Sequence, residues 1–150
     1  MRQFLRITSV IVLLASVRIS LAQNSFHSAA PLIYDITQES RLSGTVADIS
    51  TKTPPNLLPG AHFTLTTPSG PLDVSLGAFA FSGKGSLHLV PGQQIELTGV
   101  SKKLQGRQVF VARLVRVGEN VYAIRNSHGL PIPPKSHERA NQEAQNGETR

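Results

Sequence analysis

Cysteine and tryptophan are absent from this 150-residue chain, aromatic residues amount to 5%, and charged residues make up only 16%. The absence of cysteine excludes disulfides, thiolate metal sites, a cysteine nucleophile and the lipid-modified N-terminal cysteine of a bacterial lipoprotein. Twelve glycines and ten prolines accompany many valine, leucine, threonine and serine residues, which favours short strands and turns over long helices. The length suits one ordinary domain.

The first 22 residues have the three-part pattern of a secretory signal peptide. Arg2 and Arg6 form a positive n-region, residues 7–17 are an apolar run, and Ser-Leu-Ala at 20–22 supplies small residues before the cleavage point. The alternative is an N-terminal membrane anchor, which needs about 20 apolar residues. Because Arg18 ends this run after eleven, we predict cleavage after residue 22, a periplasmic or secreted mature protein, and no membrane span after cleavage.

Composition divides the rest of the chain into three parts. Residues 23–40 form a lead-in segment of mixed polarity, and residues 41–133 form the folded domain. Residues 134–150 contain no apolar residue larger than alanine, so we predict a disordered polar tail there. Cleavage of residues 1–22 would leave twelve basic and nine acidic residues, a formal charge of +3 instead of +6.

Hydrophobic residues in the domain mostly recur at every second position, which is typical of strands with one buried face. Phe63 and Leu65 follow this pattern, as do Val74 and Leu97 in two later segments. Ile49 breaks the alternation of the first segment and predicts a bulge or a phase switch. Residues 108–117 are apolar on both faces, which indicates a central strand or one that bends between layers.

The segments follow one another as three strands, a short irregular or helical link, two further strands and a C-terminal hairpin arm. This order predicts an all-β protein, a small five-stranded Greek-key barrel of the OB-fold type. A plain meander and an SH3-like barrel are the alternatives that the pattern leaves open.

Several short motifs occur in an order that resembles a group of small exported bacterial proteins. They are Gly44-Thr45-Val46, Leu76-Gly77, Pro91-Gly92 before Ile95-Glu96-Leu97-Thr98-Gly99, Ala112-Arg113, and Tyr122-Ala123-Ile124-Arg125-Asn126 before Gly129-Leu130-Pro131. The group comprises a periplasmic set and the OB-like domains of magnetosome-associated proteins. In that group the last element carries an acid and a later tryptophan, whereas this chain has Asn126 and no tryptophan. The resemblance implies a fold and a compartment more than an activity.

Catalytic and metal-binding patterns are weak. No two of the five histidines have ligand spacing, so a site joining His62 and His128 across strands is less favoured than exposed polar positions for the histidines. Asp73 and Glu96 fall on the polar side of their strands, where a carboxyl is not desolvated. We therefore predict a non-enzymatic protein with no cofactor and no metal.

Basic residues carry the positive functional signal. Between residues 41 and 133 there are nine lysines and arginines against four acids. We predict that a basic rim, with one tyrosine, binds an envelope protein, a glycan or another anionic polymer; its candidate residues are Lys102, Lys103, Arg107, Arg113, Arg116, Tyr122 and Arg125. The alternative is a single-stranded nucleic-acid-binding OB domain, but only Tyr122 and either Phe79 or Phe81 are available for base stacking.

Overall fold

The structure, a computed structural model, describes residues 34–55 and 57–147. The predicted signal peptide and most of the predicted lead-in segment lie outside these residues. Six strands and a final helix follow one another along the described chain: β1 (Ser40–Ser50), β2 (Ala61–Thr67), β3 (Gly70–Gly77), β4 (Gln94–Leu104), β5 (Arg107–Val117), β6 (Asn120–Ala123) and α1 (His137–Gln145). Within this part of the chain, no helix has the length and apolar character that a membrane crossing requires.

Five of the strands close into a barrel. β1 pairs antiparallel with both β2 and β4, β2 pairs with β3, and β4 pairs with β5. A parallel pairing of β3 with β5, in which Val74 stands opposite Phe110, completes the closure. A plain meander would pair consecutive strands only, whereas here β1 pairs with β4 and β3 pairs with β5. The predicted OB-type barrel is therefore confirmed, and β6 forms the hairpin arm with β5.

One face of each barrel strand supplies the core. Phe63 and Leu65 of β2, Val74 of β3, Leu97 of β4 and Phe110 of β5 are all at most 2% exposed. These residues belong to one contiguous cluster that fills the barrel. The strand periodicity predicted from alternating hydrophobic residues is thus confirmed on every strand that it covered.

The two irregular features predicted from the sequence are also present. The register between β1 and β2 shifts between Val46 and Asp48, which is the bulge that bends β1. Through this bend the first half of β1 pairs with β4 and the second half with β2. Residues 109–113 of β5 are buried throughout, because one side faces the barrel core while Val111 packs in a separate cluster with Tyr34.

The tail differs from its prediction. Residues 134–136 form a 3-10 turn and α1 follows directly, so the expectation of disorder from residue 134 is wrong. Ala144 of α1 packs against Val121 and Ile132. The Asn141 and Gln145 side chains of α1 also form hydrogen bonds with the backbone of β6 and of the turn before it, and hydrophobic patterning does not detect such contacts. The link between β3 and β4 consists of turns and coil, as predicted.

Candidate functional site

The structure divides the seven predicted rim residues among three environments. Lys102, Lys103 and Arg107 lie on the hairpin formed by β4 and β5. Arg113 and Arg116 line a groove beside α1. Arg125 lies in the core and Tyr122 packs against it. The seven residues do not form one continuous surface, and the three groups differ in exposure and in hydrogen-bond partners.

The β4–β5 hairpin ends in a tight two-residue turn, Gln105-Gly106. Residues 105 and 106 have φ values of 47° and 83°. Positive φ at both central positions is the type I′ pattern, whose twist matches that of the flanking strands. The cross-strand register places Lys102 and Arg107 on one face of the hairpin and Lys103 on the other.

The hairpin is positively charged and accessible. Lys103 and Arg107 are exposed and Lys102 is half-buried. None of the ion pairs formed by described residues includes any of these three cations. The pKa of the Asp35 carboxyl lies below its ordinary value because Thr37 donates hydrogen bonds to it, and the charge of Lys102 adds a smaller effect. The hairpin therefore keeps two exposed cations that no described acid neutralises.

A groove of about 450 Å³ runs between α1 and the strands β1, β4 and β5. Arg41, Arg113 and Arg116 line it together with Glu39 and Glu96. Arg116 is exposed and Glu96 is half-buried, and their nearest charged atoms are 3.8 Å apart, a geometry that contributes little binding energy. Arg41 is exposed and takes part in no ion pair within the described part of the chain.

Arg113 is held by the half-buried carboxylate of Glu39. Its Nε donates to Oε1 of Glu39 and its Nη2 donates to Oε2 at 2.8 Å, a bidentate arrangement. The Tyr34 hydroxyl donates to the same Oε1 at 2.5 Å. Burial acts to raise the pKa of Glu39, but the hydrogen bonds from Arg113 and Tyr34 outweigh it and hold the pKa below its ordinary value. Burial and the neighbouring Glu39 raise the pKa of Tyr34. The charge of Arg113 is thus neutralised inside the protein.

Arg125 is 3% exposed, so its predicted position on an exposed rim is wrong. Its Nη1 donates to the carbonyl oxygens of Ser75, at 3.0 Å, and Ala112, at 2.7 Å, while its Nη2 donates to Ser75 Oγ at 3.1 Å. Ser75 is the last residue of β3 that pairs with β5. The guanidinium therefore ties the two strands together at the end of the closing seam. Burial lowers the pKa of Arg125 to about 10.

The candidate stacking residues are only partly available. Tyr122 and Phe81 are half-buried and pack against the barrel core. Phe79 is 40% exposed and is the one aromatic residue among the exposed large apolar side chains of the described residues. A base-stacking surface built from several aromatic side chains is therefore not assembled in the described part of the protein.

Two of the four described histidines differ from their predicted exposed positions, whereas His88 and His128 are exposed as predicted. His62 and His137 are 1% and 2% exposed. His62 Nδ1 lies 2.8 Å from the Asp73 carboxylate and its Nε2 lies 2.7 Å from the Leu58 carbonyl oxygen, so both ring nitrogens are engaged. The described residues contain no group of three or more side chains suited to hold a metal ion.

Comparison with known proteins identifies the family. The model of the MamS/MamX magnetosome protein family matches residues 38–122. The chain belongs to this family. The match begins just before β1 and ends in β6, so it covers the whole barrel and confirms the resemblance to the OB-like domains of magnetosome-associated proteins. Membership in a magnetosome protein family indicates an envelope-associated protein. No curated protein matches the chain.

Proposed function

We propose that the protein is an exported, non-enzymatic binding module whose β4–β5 hairpin contacts an acidic partner. The partner is an envelope protein, a glycan or another anionic polymer. The observation that carries the proposal is the group of three cations on the β4–β5 hairpin, Lys102, Lys103 and Arg107, none of which has an ion-pair partner among the described residues. Such a group attracts anions without first having to break an internal ion pair.

The other predicted rim residues are less suited to this role. Arg113 already binds Glu39 through two hydrogen bonds, and Arg125 is enclosed by backbone carbonyls. Arg116 lies near Glu96, whose charge offsets its own. Among the predicted rim residues, the three hairpin cations are therefore the ones that can meet an incoming anion without an internal ion-pair partner.

Two further observations support the proposed location and the non-enzymatic role. The pattern of residues 1–22 predicts export, and family membership agrees with an envelope-associated protein, so we propose a periplasmic or secreted location. His62 and Asp73 form a histidine–carboxylate pair, but its ring is buried and both ring nitrogens are engaged. A ring held in this way supports the fold and is closed to a substrate.

The test is charge reversal on the hairpin with a matched control. The variant Lys102→Glu, Lys103→Glu, Arg107→Glu changes the net charge by the same amount as Lys52→Glu, Lys135→Glu, Arg139→Glu, whose side chains are exposed elsewhere on the described surface. Immobilised heparin serves as a defined anionic glycan, and periplasmic extract with chemical cross-linking serves as the source of protein partners. We expect the hairpin variant to lose about tenfold in affinity while the control retains most of its binding, since steered contacts depend on local charge. Equal loss in both variants would reject the hairpin as the interface.

Single-stranded nucleic acid is the second candidate, because OB barrels bind oligonucleotides and Phe79 is exposed. This function predicts affinity for oligonucleotides that falls steeply with salt and drops when Phe79→Ala removes a stacking surface. A flat titration at low salt excludes it.

A further inference from the structure

The outer edge of β6 is covered by a helix instead of a strand. β6 pairs with β5 along one side. On the other side the Val121 N–H donates to Oε1 of Gln145 and the Ala123 N–H donates to Oδ1 of Asn141, each at 2.9 Å. Two side-chain amides one helical turn apart thus occupy the acceptor positions that a neighbouring strand would supply.

The side chains of α1 accept hydrogen bonds from the edge N–H groups of β6 but donate none to its edge carbonyls. The N–H and C=O of one residue in an antiparallel strand point to the same side, so the carbonyls of Val121 and Ala123 also face the α1 side. No hydrogen bond between described residues uses either carbonyl. Two grooves, of about 450 and 290 Å³, are both lined by Val121 and Gln145. The contact between α1 and β6 is therefore incompletely filled and incompletely hydrogen-bonded.

α1 is also short, and polar contacts, including those of Asn141 with Gly85 and of Gln145 with Glu119, hold it beside a few apolar ones. It has nine residues, and isolated helices shorter than about 12–15 residues are marginal in water. Its apolar contacts with the β6 cluster come from Ala140 and Ala144. His137 anchors the first turn through a 2.8 Å contact of its Nε2 with the Ile132 carbonyl oxygen. Local opening of α1 consequently costs less free energy than unfolding of the barrel.

We propose that α1 is a displaceable cover and that the released edge of β6 pairs with β6 of a second copy of this chain. The strand Asn120–Ala123 carries neither charge nor proline, which are the features that usually prevent edge-to-edge pairing. Antiparallel pairing about a two-fold axis brings this edge against itself. Each copy then supplies donors to the carbonyls of Val121 and Ala123 that lack them in the single chain. Because the two β6 edges can form these hydrogen bonds with each other, a second copy of the chain is a sufficient partner.

The test compares the full chain with Asn141→Ala, Gln145→Ala and with a control, Gln142→Ala, on the same helix. The Gln142 side chain is exposed and makes no hydrogen bond to β6. Light scattering after size-exclusion chromatography reports the oligomeric state over a range of concentrations, and hydrogen exchange reports the Val121 and Ala123 amides. We expect monomers with protected amides for the wild type and the control. In the double variant we expect about tenfold faster exchange at low concentration, and dimers with restored protection at high concentration.

A further variant locates the interface. Val121→Pro in the double-variant background removes one edge donor and is expected to abolish the dimer. A double variant that stays monomeric with unprotected amides overturns the proposal. Unchanged protection in that variant overturns it too, because the two amides would then not be the cover, and dimers that survive Val121→Pro would place the association elsewhere. The hairpin cations are intact in every variant, so these outcomes are independent of the proposed function.

Discussion

Replacement of Arg125 by methionine tests how the barrel is closed. The Arg125→Met variant retains a long, unbranched side chain that can fill part of the same space. It removes all three hydrogen bonds to Ser75 and Ala112. The two backbone carbonyls then lie buried without these donors, at the point where β3 and β5 stop pairing. The closing seam should therefore weaken first.

The magnitude follows from two opposing effects. Burial lowers the Arg125 pKa from its ordinary value to about 10, which corresponds to a cost of about 3 kcal/mol for keeping the charged form inside. Three hydrogen bonds from a charged donor contribute about 1.5–3 kcal/mol each, so they outweigh that cost. We expect the free energy of unfolding of Arg125→Met to fall by about 2–4 kcal/mol.

Urea unfolding followed by far-ultraviolet circular dichroism measures this loss, with Arg116→Met in β5 as the control. Arg116 is exposed and only loosely paired with Glu96, so its replacement should cost less than about 1 kcal/mol. Arg125→Lys separates charge from geometry. An ammonium retains the desolvation cost but loses the planar fork, so we expect lysine to be no better than methionine. If Arg125→Met were as stable as the wild type, the guanidinium would not hold the seam and this reasoning would be refuted.

Two further predictions concern an acid and a glycine. The folded-state pKa of Glu39 lies below its ordinary value of 4.5, so the stability that this carboxylate contributes is present above that pH and is lost as pH falls through the folded-state pKa. The urea midpoint of the wild type should therefore drop below about pH 4.5, and Glu39→Gln should flatten this part of the profile. A Cβ at Gly99 would lie 2.2 Å from the Val111 carbonyl oxygen, so Gly99→Ala should lower the thermal midpoint by an amount corresponding to about 3 kcal/mol. Gly92→Ala, in open space with φ 87°, should cost only about 1 kcal/mol, and equal losses would contradict the steric argument.

The barrel could be predicted because its strands each bury one face. Successive side chains of a strand point to opposite faces, so hydrophobic residues at every second position mark the buried face. Phe63, Val74 and Leu97 follow this pattern and are buried. The break before Ile49 likewise reported a bulge, since one extra residue shifts every later side chain to the other face. The connectivity was harder, because the pattern does not encode which strand lies beside which.

The candidate site could be predicted only in part, because charge alone does not determine exposure. Arg113 lies in the same row as the buried Val109 and Val111, and Arg125 lies two residues after the buried Ala123. Because each arginine is an even number of residues away from buried neighbours, the alternation of the strand places its side chain on their buried side. The hydrogen-bond acceptors that make such burial tolerable come from distant parts of the chain, and no local pattern shows them. The hairpin lysines, by contrast, follow the ordinary rule for charged residues near a turn.

The match between Asn141, Gln145 and the edge of β6 also limits how long that strand can be. Four residues of helix advance about 6 Å, whereas two residues of strand advance about 6.8 Å. The two repeats agree well enough for a pair of contacts, but the difference accumulates by almost 1 Å with each additional pair. Lengthening the β5–β6 hairpin by one strand repeat would therefore add amide groups that α1 cannot reach. A helix can therefore cover the edge of a sheet in this way only where the edge strand is short.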